Sequence, residues 1–370
     1  GLSTETAPAP GRQAPPEEFA GLLGGFRAKL ERELEAWLAA KRAEAEGSRE
    51  MLELIDGVGL LATRGGKRVR PALIYYTYRA CGGRSDEEVL PLALATELLH
   101  TYLLIHDDIM DHAEVRRGQA SAHVRFREEH RSLGYHGDAA DFGRSVAILL
   151  GDLAHTWAVE LAAVVFLQGP RSRELARTFA VMSQEVIGGQ YLELLVAQRR
   201  TATEEELLQV LRLKSGRYTA ERPIQLGGLL AGAPAGTLQG LARYGAAMGE
   251  AFQLQDDLLG MFGDEGTLGK PVDTDLKEGK FTFLILHAFS NASAEQRGIL
   301  EGALGNPALD DAEVRRALAV LEETGARAKV TGMVAERLQA AREALSPLDL
   351  QPEGRLFLEG LIDYLWERKR

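Results

Sequence analysis

Asp107, Asp108 and Asp111, in the stretch His106-Asp107-Asp108-Ile109-Met110-Asp111, and Asp256 and Asp257, in Gln253-Leu254-Gln255-Asp256-Asp257, are carboxylates set among apolar residues. Residues four apart on a helix share a face, so Asp107 and Asp111 present two carboxylates in one direction while Asp108 turns about 100° away. Such a pair repels itself unless cations fill the gap. Carboxylate oxygens are hard ligands suited to Mg²⁺, which keeps part of its water shell and takes further oxygens from a phosphate-bearing substrate. A solvated acidic turn is the plain alternative. It loses ground because Asp107 and Asp108 follow Leu98-Leu99-His100-Thr101-Tyr102-Leu103-Leu104-Ile105, which is expected to be mostly buried, and buried charge is tolerated only when paired or metal-bound. The second segment repeats the situation after Ala251-Phe252.

Basic residues stand where an anion site needs them. Gly65-Gly66-Lys67-Arg68-Val69-Arg70-Pro71 sets glycines before a lysine and two arginines, and its proline suits the first turn of a helix whose N-terminus favours an anion. Arg116 and Arg117 follow the first acidic cluster closely, and a guanidinium fork can grip phosphate oxygens bidentately. Taken singly, Lys214, Lys270 and Lys280 would pass as surface lysines, although Lys270 and Lys280 lie in the segment that trails the second acidic cluster. His100 lies seven residues before Asp107, close to the same helix face, and can donate to a phosphate, with a satisfied core histidine as the alternative.

Helices must position these groups. From about Glu17 onward helix-favouring apolar spacing recurs over Glu18 to Glu46, Glu87 to Met110, Arg144 to Phe166, Ser172 to Gln198, Glu204 to Leu230 and Thr237 to Phe262, with little sign of strands. Gly65-Gly66, Gly82-Gly83, Gly169-Pro170, Gly232-Ala233-Pro234 and Gly269-Lys270-Pro271 punctuate the helices as turns. The fold class expected is all-α: one large antiparallel helical bundle over residues 18–370, in which facing helices build a metal site around a central cavity. Residues 1–17, with Pro8, Pro10, Pro15 and Pro16, read as a flexible tail and show no secretory signal pattern.

Composition narrows the function classes. A chain of 370 residues, 45% hydrophobic and 26% charged, is ordinary globular material. Its net charge of −11 argues against nucleic-acid binding, which needs a basic face, so any anion site is local. The single cysteine, Cys81, excludes an internal disulfide and a cysteine-based zinc site and suits a reducing cytoplasm. The most apolar stretch, Val146 to Leu167, is interrupted by Asp152, His155 and Glu160, so no transmembrane segment is expected.

Taken in order, Gly65 to Pro71 (GGKRVRP), His106 to Asp111 (HDDIMD), Arg116 to Gly118 (RRG), Gly188 to Gln190 (GGQ), Lys214 to Thr219 (KSGRYT), Phe252 to Asp257 (FQLQDD) and Gly269-Lys270 resemble the trans-isoprenyl diphosphate synthases, or polyprenyl synthetases, over roughly residues 20–370. The resemblance implies an isoprenoid-synthase bundle, a homodimer, and three Mg²⁺ ions that bind an allylic diphosphate. It assigns Asp107, Asp111 and Asp256 as metal ligands, with Asp108 and Asp257 in support. Arg116, Lys214, Ser215, Gln253 and Lys270 would attend the allylic diphosphate. Lys67, Arg70, His100 and Arg117 would receive isopentenyl diphosphate, with Lys280 completing the positive rim. Prenyl transfer follows: the allylic C–O bond ionises, the isopentenyl double bond attacks, and a proton is lost, possible without any protein nucleophile.

One departure from the pattern matters, because a second DDxxD would put aspartate at position 260 and this chain has Gly260. Product length is expected to depend on Tyr102 and Leu103, which stand about one helical turn before Asp107 and could floor the cavity. A single aromatic there is similar to synthases making the C20 product geranylgeranyl diphosphate, with farnesyl and longer-chain products as rivals. Three other functions compete. A class I terpene cyclase would have less use for a second diphosphate site at Lys67, Arg70 and Arg117. A non-catalytic partner subunit would be suspected if the first motif were broken. A carboxylate-bridged di-iron bundle needs two Glu-x-x-His pairs, and Glu97 with His100 is the one such pair in the sequence.

Overall fold

The structure, a computed structural model, describes residues 15–167, 169–263 and 273–368. The described residues are all-α apart from turns and one two-residue hairpin. They form two compact units, one made by residues 20–177 with 226–232 and the other by the remaining described residues.

In the first unit, α1 (Pro16–Glu44) starts two residues inside the tail expected for 1–17; the tail up to residue 14 lies outside the described residues. Then come α2 (Arg49–Thr63), α3 (Val69–Ala80) and α4 (Asp86–Met110). The hairpin β1 (Val115–Arg116) and β2 (Gln119–Ala120) leads into α5 (Ala122–Ser132) and α6 (Ala139–Phe166). Helix α4 organises this unit. The Ser85 side chain accepts from the Glu88 N–H at 3.2 Å, and Asp86, Glu87 and Glu88 complement the positive end of the helix. Past that polar start Val89, Leu92, Leu94, Leu98 and Leu99 are buried, and α4 packs chiefly along α6. Gly151 permits the approach, because a side chain there would collide with the His106 ring. Helices α4 and α6 are each long and apolar enough to cross a bilayer, but 72% of the α4 window is buried inside the protein, while that of α6 is 44% buried.

The second unit is built on α10 (Ala235–Phe262). Helix α7 (Ser172–Arg199), of which residues from 178 belong here, and α8 (Glu204–Val210) precede a π-helical segment, Leu211–Glu221, which passes into α9 (Arg222–Ala231). After α10 come α11 (Thr274–Glu278), α12 (Phe283–Asn291), α13 (Ala294–Ala303), α14 (Asp311–Glu323), α15 (Ala326–Leu345) and α16 (Pro352–Glu367). Helix α10 packs mainly against α15 and the π segment. The continuous helical pattern expected over Glu204 to Leu230 is therefore real in its ends but not in its middle. There Gly216 is pressed against α10 so closely that a Cβ on Gly249 would lie 2.5 Å from the Gly216 carbonyl oxygen. A buried Tyr244 hydroxyl donating to the Leu358 carbonyl at 2.6 Å helps tie α16 to α10.

Candidate active site

Each unit carries one of the two aspartate-rich segments, and each is described by itself. In the first unit Asp107, Asp108 and Asp111 end α4. Asp111 still donates its N–H to the Asp107 carbonyl at 2.8 Å, so Asp107 and Asp111 keep helical registration; Asp107 is half-buried and Asp111 exposed. Asp108, on a different face, is buried and takes a two-pronged guanidinium from Arg116, Nη2 to Oδ1 at 2.6 Å and Nε to Oδ2 at 3.2 Å. Three carboxylates at the negative end of a helix work against its dipole, and a bound cation would relieve that.

Arg116 is delivered by the hairpin, in which it pairs with Gln119. The connecting residues Arg117 (φ 53°) and Gly118 (φ 75°) are both left-handed, the signature of a tight type I′ turn. Arg117 donates to the Gly65 carbonyl, and its guanidinium lies against Gly66, where a Cβ would stand 2.7 Å from Nη2. The loop Gly65 to Arg68 has Gly65, Gly66 and Arg68 at positive φ, and it leads directly into α3. Arg68 is buried, donating to Glu97 at 2.5 Å and to the Ala62 carbonyl at 2.7 Å. Glu97 is thus engaged by a guanidinium, which removes the Glu97/His100 pair as an iron-ligand set.

His100 faces this cationic group. Its Nε2 is 3.3 Å from Arg70 Nη1. Burial, then Arg70, Arg117, Arg116 and Arg68, hold the imidazole well below its ordinary pKa of 6.5, so it is neutral at pH 7. Burial lowers the Arg117 pKa as well, reinforced by Arg68, Arg116 and Arg70 against the opposing pull of Glu97. Arg70, His100, Arg116 and Arg117 are therefore gathered, with Lys67 half-buried on the adjoining loop. Crowding of like charge in poorly solvated surroundings is what a bound anion offsets. Tyr102, half-buried one turn below, is flanked by the His106 ring at 4.9 Å and the α6 residue His155 at 4.8 Å, with Leu103 beside it on α4.

In the second unit α10 supplies Gln253, Asp256 and Asp257. The Ser215 hydroxyl donates to Gln253 Oε1 at 2.8 Å, Gln253 Nε2 donates to Asp257 Oδ1 at 2.9 Å, and Lys280 Nζ reaches the same oxygen at 3.3 Å. Burial pushes the Asp257 carboxyl up to about 6, with Lys280 and Gln253 opposing and Asp275 adding to the rise. Lys280, despite the opposing effect of burial, is held well above its ordinary value by Asp257, Asp275 and Glu193. Lys214, on the π segment, donates to Gln190 at 2.5 Å and Glu193 at 2.8 Å. Burial alone would raise the Glu193 carboxyl, but Lys214 and Lys280 outweigh it and hold it below its ordinary value. Asp256 Oδ1 is met by Arg368 Nη1 at 2.9 Å. Lys270 lies outside the described residues.

Glu193, Asp275 and Arg368 were not among the residues singled out from the sequence, and Gln190 was named only as the end of the Gly188 to Gln190 motif, with no role. Gln190 and Glu193 share a face of α7 by their three-residue spacing, which is a usable signal. Arg368, near the end of α16, has no local signal at all.

Both units carry the donors Mg²⁺ favours, carboxylate oxygens without thiolate or imidazole competitors at the same positions. Among the described residues no three His, Cys, Asp or Glu side chains are gathered tightly enough to hold a metal alone. That fits an ion that takes much of its shell from water and phosphate. The guanidinium of Arg368 on Asp256 shows that this position accepts a cation.

The polyprenyl synthetase profile matches residues 54–321. The geranylgeranyl diphosphate synthase of Methanosarcina mazei is 31% identical over 317 residues, covering 86% of this chain and 90% of that one. The nonaprenyl diphosphate synthase of Mycobacterium tuberculosis is 33% identical over 315 residues, covering 85% of this chain and 86% of its own. Among solved structures, a geranylgeranyl pyrophosphate synthase from Corynebacterium glutamicum, complexed with isoprenyl diphosphate and magnesium, superposes with a TM-score of 0.90. It is 30% identical and covers 94% of this chain and 99% of its own.

Proposed function

The chain belongs to the polyprenyl synthetase family and is a prenyltransferase, and from that premise we propose that it joins isopentenyl diphosphate head-to-tail to allylic diphosphates. The proposed product is a short-chain all-trans prenyl diphosphate, geranylgeranyl diphosphate (C20). The observation that carries this reading is the arginine group around neutral His100 beside the Asp107/Asp111 pair. It offers a diphosphate a place apart from the carboxylates, which a two-substrate condensation needs and a terpene cyclase does not.

In this reading Asp107, Asp111 and Asp256 would hold Mg²⁺, three ions in all by the family pattern, with Asp108 and Asp257 in support. Bound Mg²⁺ stabilises the charge that develops on the departing diphosphate. Lys214 and Lys280 add fixed positive charge on the same leaving group, and Ser215 and Gln253 orient it; Lys270 joins them by the family pattern. Arg70, Arg117, His100 and Lys67 receive isopentenyl diphosphate, and Arg116, braced on Asp108, attends the allylic diphosphate. The allylic C–O bond breaks to a resonance-stabilised cation, the isopentenyl double bond closes the new C–C bond, and the released diphosphate takes the proton. Apolar side chains of α4 and α6 keep water from the cation.

Relatives of nearly equal identity carry names with very different chain lengths, so identity does not choose the product. Tyr102, braced between His106 and His155, supports C20. A row of exposed apolar residues on α6, Ile148, Leu149, Val159 and Val164, supports a homodimer formed through that helix. The single free cysteine, Cys81, suits a reducing cytoplasm. The test is incubation of the purified protein with Mg²⁺, radiolabelled isopentenyl diphosphate and each of the C5, C10 and C15 allylic diphosphates. A C20 product, abolished by EDTA, is expected; no incorporation with any primer overturns the reading.

A further inference from the structure

Glu185 lies on α7, ahead of Gln190 and Glu193, and its side chain is only 11% exposed. Two guanidinium groups share its carboxylate. Arg217 Nη1 donates to Oε2 at 2.5 Å, and Arg222 grips both oxygens, Nε to Oε1 at 2.7 Å and Nη2 to Oε2 at 3.3 Å. Arg217 belongs to the π segment, and Arg222 closes it, donating its N–H to the Arg217 carbonyl five residues back. In an α-helix, residues five apart are turned about 140° from one another, so a carboxylate on a neighbouring helix would not face both. The wider turn closed by a five-residue hydrogen bond brings them toward one side. Glu185 therefore meets both arginines because the segment is π-helical, and its two ionic contacts favour that form over the α-form.

The same helix holds the other end of the segment. Lys214 donates to Gln190 and Glu193 on α7, so the antiparallel contacts Lys214 to Glu193 and Arg222 to Glu185 are eight residues apart on each element. Between them Gly189 admits the close approach, since a Cβ there would stand 3.0 Å from the Lys214 backbone nitrogen. We propose that Glu185 is a positioning residue: it keeps Leu211–Glu221 in the π form and through it sets Lys214 and Ser215 on the allylic diphosphate. This rests on the assignment of those two residues made above. Glu185 itself touches no substrate.

The test pairs steady-state kinetics with hydrogen exchange read by mass spectrometry, and the thermal midpoint checks folding. Glu185→Gln keeps size and removes the charge. It is expected to lower kcat/KM for the allylic diphosphate about 10- to 100-fold, chiefly through KM, while KM for isopentenyl diphosphate stays within about twofold. Amide exchange is expected to quicken over 211–222 and to stay unchanged in α16. A purely structural role would lower the amount of active enzyme, and so kcat, without separating the two KM values. A fall in kcat alone, an equal rise in both KM values, or unchanged exchange over 211–222 overturns the proposal. If Glu185→Gln does not fold, Arg217→Gln decides: its side chain is 42% exposed, it removes one of the two contacts, and it is expected to act in the same direction, more weakly. Wild-type protein that forms no product with any primer overturns the prenyl-transfer reading instead, whereas the exchange measurement still reads the hold of Glu185 on the π segment, so the two failures are distinguishable.

Discussion

The Arg116 guanidinium straddles the Asp108 carboxylate, Nη2 2.6 Å from Oδ1 and Nε 3.2 Å from Oδ2, tying the hairpin to the last turn of α4. Asp108 is 5% exposed by its side chain and Arg116 35%. Breaking a fully buried pair costs about 3–5 kcal/mol, and the wetter arginine lowers that to about 2 kcal/mol for Asp108→Ala or Arg116→Ala. Urea melts of the two single variants and the double are expected to show strong coupling, the double losing little more than the worse single. Additive losses would mean that the two groups act independently.

Tyr102→Ala is expected to lengthen the product. The ring lies between His106 and His155, and its loss opens apolar depth along α4 and α6 for further five-carbon units. Chromatographic sizing after complete turnover reads this directly. An unchanged C20 distribution would show that something other than Tyr102 closes the cavity.

Acid sensitivity is expected to trace in part to His100. Its folded pKa lies well below 6.5, first through burial and then through Arg70, Arg117, Arg116 and Arg68. The unfolded chain takes up this proton near pH 6.5 and the folded chain does not, so the associated stability is present above about pH 6.5 and is lost as pH falls below it. The loss is no steeper than about 1.4 kcal/mol per pH unit. Melts of His100→Gln between pH 7 and 5 are expected to fall less steeply than those of wild type, and parallel curves would refute this account.

Mg²⁺ and inorganic diphosphate together are expected to raise the melting temperature far more than either alone, because neither completes the other's ligand shell. At 100 times the dissociation constant the gain is about 2.7 kcal/mol. Asp107→Ala, which removes a half-buried carboxylate at the end of α4, is expected to abolish the rise while leaving the unliganded melt nearly unchanged. A rise that survives the substitution would move the metal elsewhere.

What the sequence made legible was local. The Asp107/Asp111 face and the helical windows follow from spacing within one segment, and the structure has them apart from the π segment inside Glu204 to Leu230. The partners of these groups come from far along the chain: Arg368 on Asp256, Glu97 on Arg68, Asp275 beside Gly260. No periodicity reports such pairings. The resemblance assigned Arg70 and gave Arg68 no role, and in the structure the left-handed backbone at Arg68 goes with a side chain on buried Glu97, whereas Arg70 faces His100. Gly260 leaves room for the Asp275 side chain of another helix, a contact that spacing along α10 does not report.

The π segment Leu211–Glu221 carries Lys214 and Ser215 to Glu193 and Gln253 over 11 residues of widened helix. Each wide turn takes up more residues than an α turn does, so the segment behaves as a stored insertion in the chain. Removing one residue there would let the backbone relax toward regular α-helix and would rotate the two side chains off their partners. Tolerance to deletion and tolerance to substitution therefore part company here: the stretch can absorb a shorter chain as a helix but not as a site.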